Sequence, residues 1–169
     1  VAATLPPILQ PVFARWVDDV MSHKKPTGEM QTVGYISHNI VSALERRDEF
    51  LATTAMTISD REILHKRRDA KTSGGKALPL EYIRKLPTIL SSPKAVLWDK
   101  RDRAVLYIFD VPGEHRKGKY VVRVNYKTKQ RSVDGDWQSL ITNRVRTGGL
   151  VDTLNLKDKS AYELLEGEL

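Results

Sequence analysis

The sequence predicts an α+β domain, with N-terminal helices packed on a roughly four-stranded antiparallel sheet. Helical periodicity dominates up to about residue 90. After Pro93, β-branched and aromatic runs alternate with polar turns. The two kinds of element are segregated along the chain, not interleaved as a parallel α/β sheet requires. A chain of 169 residues, 40% of them hydrophobic, is long enough for one real core.

Pro6 and Pro7 open an amphipathic segment in which Leu9, Val12, Phe13, Trp16, Val17, Val20 and Met21 recur at helical spacing through about residue 22. His23 to Gly28 read as a linker. Residues 1–28 are thus a helix and linker that either pack on the domain or end a preceding one, and 29–169 are the α+β domain. The chain starts with Val, as a processed product or an excised piece of a longer protein would. Ile36, Ile40, Val41 and Leu44 mark a second helix with Ser37 as N-cap, and Phe50 to Met56 a short extended piece. Ser59-Asp60-Arg61-Glu62 fits a capping box, in which Ser59 accepts from the Glu62 amide and the Glu62 side chain reaches back. Ile58 and Ile63 stand at the staple positions. The helix this starts covers about 60–70, ends at Thr72-Ser73-Gly74-Gly75, and aligns Arg61, His65, Arg68 and Asp69 on one face.

Pro79 starts a short helix with Leu80, Ile83 and Leu86, which Pro87 stops. Ala95–Trp98 and Ala104–Phe109 form a hairpin around Asp99–Arg103. Tyr120–Tyr126 alternates as a strand with one covered face. Leu140–Thr147 is the last strand, broken by Gly148-Gly149. Leu154–Leu165 reads as an acidic tail, helical at its end.

The net charge of +7 is unevenly placed. Lys94–Thr147 carries 13 basic and 6 acidic residues, Thr57–Lys76 carries 6 and 3, and Leu150–Leu169 carries 2 and 5. Concentration on the sheet strands and one helix is the footprint of a polyanion binder, RNA or DNA, although a solvated basic face has the same composition. Cysteine is absent, which excludes disulfides, thiolate metal sites and a Cys nucleophile, and fits a reducing compartment or a particle assembled in one. No apolar run reaches the ~18–20 residues of a membrane span, and no secretory signal pattern opens the chain.

Phosphate-loop, nucleophile-elbow and H-E-x-x-H motifs are absent, and His23, His38, His65 and His115 lack metal-ligand spacing, so neither a metal nor a cofactor is expected. What remains is His65 on a basic helix and a sheet with Arg123, Arg144 and Arg146 beside Asn125, Thr142 and Thr147. Metal-free RNA cleavage needs a base for the 2′-hydroxyl, an acid for the leaving 5′-oxygen and cations for the phosphorane charge. His65 and the arginines supply such parts, and they equally suit plain phosphate binding. His65 can also simply pair with Asp69. Tyr126, Trp98 and Tyr107 can stack on bases, or can be core and cross-strand partners. Arg144 and Arg146, two apart on one strand, need an anion, a carboxylate or water between them.

Val33-Gly34-Tyr35-Ile36-Ser37, Ile58-Ser59 followed by His65, Leu86-Pro87-Thr88-Ile89-Leu90 with Pro93, Val121-Val122-Arg123-Val124-Asn125 and Val145-Arg146-Thr147-Gly148 occur in an order that resembles a known family. It is the nuclease-like domain of Mu F-like phage head-morphogenesis (minor capsid) proteins, the phage barnase/EndoU/colicin/RelE-like group, over about residues 31–155. The resemblance implies a BECR-type fold and a metal-independent endoribonuclease ancestry, acting as a toxin, an effector or a virion component. Carried over, His65, Arg146 and Thr147 form the catalytic site, with Lys66, Arg68, Lys71, Arg123, Asn125, Tyr126 and Arg144 along the nucleic acid. One departure is that no second His or Glu is clearly placed as the partner acid, leaving Lys66 or Lys71 for that role. The alternative is a non-catalytic module that binds nucleic acid or capsid protein. Expected partners are RNA or DNA, phage capsid or portal proteins, or an acidic immunity protein, and no membrane. The expected location is the bacterial host cytoplasm or the virion. A third idea, transfer of ADP-ribose, lacks any nicotinamide-pocket motif.

Overall fold

The computed structural model describes residues 9–72, 77–131 and 134–169, with side chains except at 9, 67–72, 130 and 131. The N-terminal half supplies α1 (Leu9–Ser22), β1 (Met30–Tyr35), α2 (His38–Glu45), β2 (Ala55–Ser59), α3 (Asp60–Thr72), α4 (Glu81–Arg84) and α5 (Leu86–Ser91). The C-terminal half supplies β3 (Ala95–Asp99), β4 (Ala104–Phe109), β5 (Lys117–Arg131), β6 (Trp137–Val151), α6 (Thr153–Leu156) and β7 (Tyr162–Gly167). The class is α+β as expected, but the sheet has seven strands, in the order β1-β2-β6-β5-β4-β3-β7. All pairs are antiparallel except β2 with β6.

Two cores explain the continuous apolar runs of β3 and β4, which are buried at every position. Val96, Trp98, Val105, Tyr107 and Phe109 enter the main core, with Phe13, Val17 and Val20 of α1 and Leu44 of α2. Ala95, Leu97, Ala104, Leu106 and Ile108 point the other way, into a smaller core closed by Leu156 of α6. A strand covered on both faces has no polar side to alternate. Trp98 and Tyr107 are therefore core residues.

The extra strands arise where sequence signals were weak. β1, half exposed with a register shift at Thr32–Gly34, shows little alternation. β2 starts later than the expected extended piece, at Ala55, because Asn143 accepts the Asn125 amide and donates to the carbonyls of Thr53 and Ala55. The C-terminal tail opens with α6, and its end, expected as helix, is strand β7, which covers the apolar β3 edge that would otherwise template aggregation. There Glu163 pairs with Arg47 and with Lys100 at 3.1 Å, and the Arg47 and Lys100 partners lower its carboxyl pKa. Pro87 does not end a helix but sits in the first turn of α5, where a missing amide hydrogen costs nothing.

Gly148-Gly149 does not break the last strand, since β6 runs through both to Val151. Tyr82, Phe109 and Tyr120 stack as a column, with centroids 5.9 and 5.5 Å apart. Tyr120 is fully buried, its hydroxyl donates to the Tyr82 carbonyl at 2.9 Å, and it lies opposite Gly148. A Cβ at Gly148 would fall 2.6 Å from the Tyr120 ring. Gly148→Ala is therefore expected to destabilise the fold by about 1–3 kcal/mol in chemical denaturation. An unchanged midpoint would show that the column does not need the glycine.

Candidate functional site

A cleft of about 530 Å³ opens where β2 passes into α3. Its floor is Arg144 and Arg146 of β6. One wall is the linker Pro26–Met30 with the first turn of α3, and the other is Tyr126–Lys129 of β5 with Trp137 of β6. Among the described residues, five cationic side chains line it (Arg61, Lys127, Lys129, Arg144, Arg146) against three acidic ones (Glu29, Asp60, Glu62).

The first turn of α3 builds the acidic part. Ser59 caps the helix by accepting from the Glu62 amide at 3.4 Å, and Ile58 and Ile63 are both fully buried, as the capping pattern predicts. The Glu62 carboxylate instead turns to the sheet. It accepts from Arg146 Nη1 at 2.5 Å and lies 3.9 Å from Arg144 Nη1. Asp60, also buried, accepts through Oδ2 from the amides of Thr27 (2.6 Å) and Gly28 (3.2 Å) and from the Thr27 hydroxyl (3.1 Å). Asp60 thus fastens the linker as the cleft wall.

The basic floor is ordered by Tyr126, whose ring lies 5.4 Å from the Arg144 guanidinium and 5.0 Å from that of Arg146. Arg144 is buried, and desolvation lowers its pKa from the usual value. Among the described residues its Nη2 reaches the Met30 sulfur, at 3.2 Å, and its Nε is buried with no hydrogen-bond partner. One carboxylate thus faces two guanidiniums, while the buried Asp60 carboxylate on the adjoining wall is held by neutral donors and its Oδ1 has no partner among the described residues.

Of the residues singled out from the sequence, Arg144, Arg146 and Tyr126 are brought together here. His65 is exposed on α3, one turn beyond Arg61, and does not line the cleft. Thr147 is exposed and stands opposite Val121, which packs on the smaller core. Arg123, also exposed, stands opposite Ala104 of that core. Lys66 is buried with its ammonium 5.8 Å from the centre of the Tyr120 ring. Asn125 adopts a left-handed backbone (φ 51°) at a β5 irregularity. Its side chain accepts from the Ala52 amide (2.9 Å) and donates to the Phe50 carbonyl (2.8 Å), so it anchors a loop. The side chains of Arg68 and Lys71, like residues Ser73–Gly75, lie outside the described residues. Sequence reasoning missed Glu62, Asp60, Lys127, Lys129 and Trp137. Glu62 was visible only as a capping residue, and that role assigned its side chain to the wrong partner.

Among the described residues no cluster of His, Asp and Glu could hold a metal ion, and no helix is long and apolar enough to cross a membrane. No family model and no solved structure matches the chain. It is 21% identical over 99 residues, 59% of its length, to the "Putative capsid assembly protein F" of Escherichia phage Mu. The match spans only 21% of that protein, so the chain corresponds to about one fifth of its relative. The similarity supports a relation to phage head proteins and carries no nuclease domain with it.

Removing the Glu62 carboxylate leaves two guanidiniums facing each other, one of them buried. Glu62→Ala should cost about 2–4 kcal/mol of stability, more than Arg146→Ala, which keeps Arg144 opposite the carboxylate. Equal, small losses in urea titrations of both variants would contradict this arrangement.

Proposed function

We propose that the chain is the nucleic-acid-binding module of a phage head protein, and that the polyanion backbone lies on Arg144 and Arg146. The observation that carries this reading is a pair of floor guanidiniums that share the Glu62 carboxylate, the buried one with an Nε that lacks a partner among the described residues. A buried unpaired donor on a cation costs free energy that an incoming phosphate oxygen would recover. The five-to-three excess of cations among the described residues of the cleft and the relation to a capsid assembly protein support the same reading. Glu62 acts as the internal counter-ion that a phosphate displaces from Arg146. Other phage head proteins are the natural protein partners of such a module, in the virion.

Binding of a labelled single-stranded RNA or DNA should weaken steeply with salt, as counter-ion release requires. Arg146→Gln should weaken it and flatten the log–log salt slope by about 0.7–0.9 for each phosphate that the variant no longer neutralises. Glu62→Gln should tighten binding severalfold by removing the competing carboxylate. No salt-dependent binding, or a Glu62→Gln chain that binds more weakly, would refute the proposal.

A catalytic reading has one observation in its favour. Glu62 supplies, beside the arginines, the second acid–base group that the sequence did not place, and His65 stands one turn further along α3. In that reading Glu62 takes the 2′-hydroxyl proton and Arg144 and Arg146 hold the phosphorane charge, and it requires His65, which does not line the cleft, to reach the leaving 5′-oxygen as its acid. It requires RNA cleavage in EDTA that is abolished in both Glu62→Gln and His65→Ala. RNA left intact by the wild-type chain would leave binding alone.

A further inference from the structure

β5 and β6 are much longer than the rest of the sheet. The β4 partnership of β5 ends at Arg123, and the β2 partnership of β6 begins at Asn143. From Tyr126↔Thr142 to Arg131↔Trp137, six cross-strand pairs join only these two strands. They form a ribbon that projects beyond the sheet for about 20 Å, at about 3.4 Å per residue. A lone two-stranded ribbon contributes little to folding.

Along one face of the ribbon, Lys127 is paired with Ile141, Lys129 with Ser139, and Trp137 closes the row one pair further out. Directly opposed residues share a face, and so do residues two apart on a strand. This face therefore carries two cations beside Ile141 and ends in an indole that is 59% exposed. Trp16 is half-buried and Trp98 lies in the core, so Trp137 is the tryptophan that solvent reaches best. Lys127, Lys129 and Trp137 also line the cleft whose floor is Arg144 and Arg146.

We propose that the ribbon is a single-strand-selective subsite: Trp137 stacks on an unpaired base, while Lys127 and Lys129 follow the phosphates that lead from it to Arg144 and Arg146. The inference rests on the binding function proposed above and names the ligand class of that site. Single strands offer π-faces that duplexes keep stacked, and cation rows interleaved with aromatic residues are how sequence-tolerant single-strand binders hold them. A protein partner would use Trp137 and Ile141 but would have no need of the lysine row beside the arginine floor.

The test uses the full chain and three fluorescein-labelled probes of equal length: a single-stranded oligothymidylate, the corresponding abasic strand and a duplex. At one salt concentration, anisotropy should rank the oligothymidylate at least tenfold tighter than either of the other two, and its binding should quench tryptophan emission. Trp137→Ala should lose about tenfold in affinity for the oligothymidylate and change duplex and abasic binding less than twofold, whereas Trp137→Phe should keep most of the affinity. Equal affinity for all three probes, or a Trp137→Ala chain that binds the oligothymidylate as wild type does, overturns the subsite and leaves the arginine floor as the binding site. Absence of binding to every probe overturns both. Because Trp137 is exposed, unchanged circular dichroism and melting of the variant will exclude misfolding.

Discussion

The ion pair of Glu62 with Arg146, reinforced by Arg144, joins the helical half of the molecule to the sheet at the point where the cleft forms. β2 pairs with β6 over only two residues, Met56 with Asn143 and Thr57 with Arg144, before the chain turns into α3. The Thr57 and Thr142 hydroxyls, 2.8 Å apart, extend the β2–β6 contact, and the Glu62 carboxylate ties the start of α3 to β6. The same residues bound the cleft, so its geometry and its charge are fixed by one set of interactions. A buried carboxylate shared by two guanidiniums contributes little net stability compared with an apolar core. Under the proposed binding function it is a prepared anion site, with the resident carboxylate holding the arginines in place.

Tyr126 and the two asparagines extend this constraint. The buried Asn143 bridges β2, the loop before it and β5, while Asn125 takes a left-handed conformation to hold the same loop from the other side. The register irregularity between Arg123 and Tyr126 places the Tyr126 ring over the two arginines, and the ribbon leaves the sheet at that point. The bulge, the arginine floor and the projecting ribbon are thus consequences of one local departure from regular pairing.

Much of this was legible in residues with strong local signals. The Ser37 and Ser59 caps, the Ile58–Ile63 staple and the β3–β4 hairpin stand where their patterns put them. The strands β1 and β7 were hidden, because edge strands with little burial on either face do not alternate. The glycine pair at 148 and 149 looked like a stop signal since the need to seat the Tyr120 ring is tertiary. For the site, the pairing of Arg144 with Arg146 was readable as two like charges needing an anion. That Glu62 would answer them was not, because the partner lies 82 and 84 residues away. Asn125 read as a binding residue because nothing local announces a hydrogen bond to Phe50 and Ala52. Trp137 passed unnoticed, as its exposure depends on how far β5 and β6 outrun their neighbours.

The central claim, that a polyanion occupies the Arg144–Arg146 floor, is tested most directly by observing those guanidiniums. In a ¹⁵N-labelled chain, the arginine Nε–Hε resonances assigned through Arg144→Lys and Arg146→Lys variants can be followed while a short oligonucleotide is added. The floor reading predicts large downfield shifts for both and protection of the Arg144 Hε from solvent exchange, as its unpartnered nitrogen gains a phosphate oxygen. Shifts confined to Arg123 and Arg61, with Arg144 and Arg146 unchanged at saturation, would contradict it.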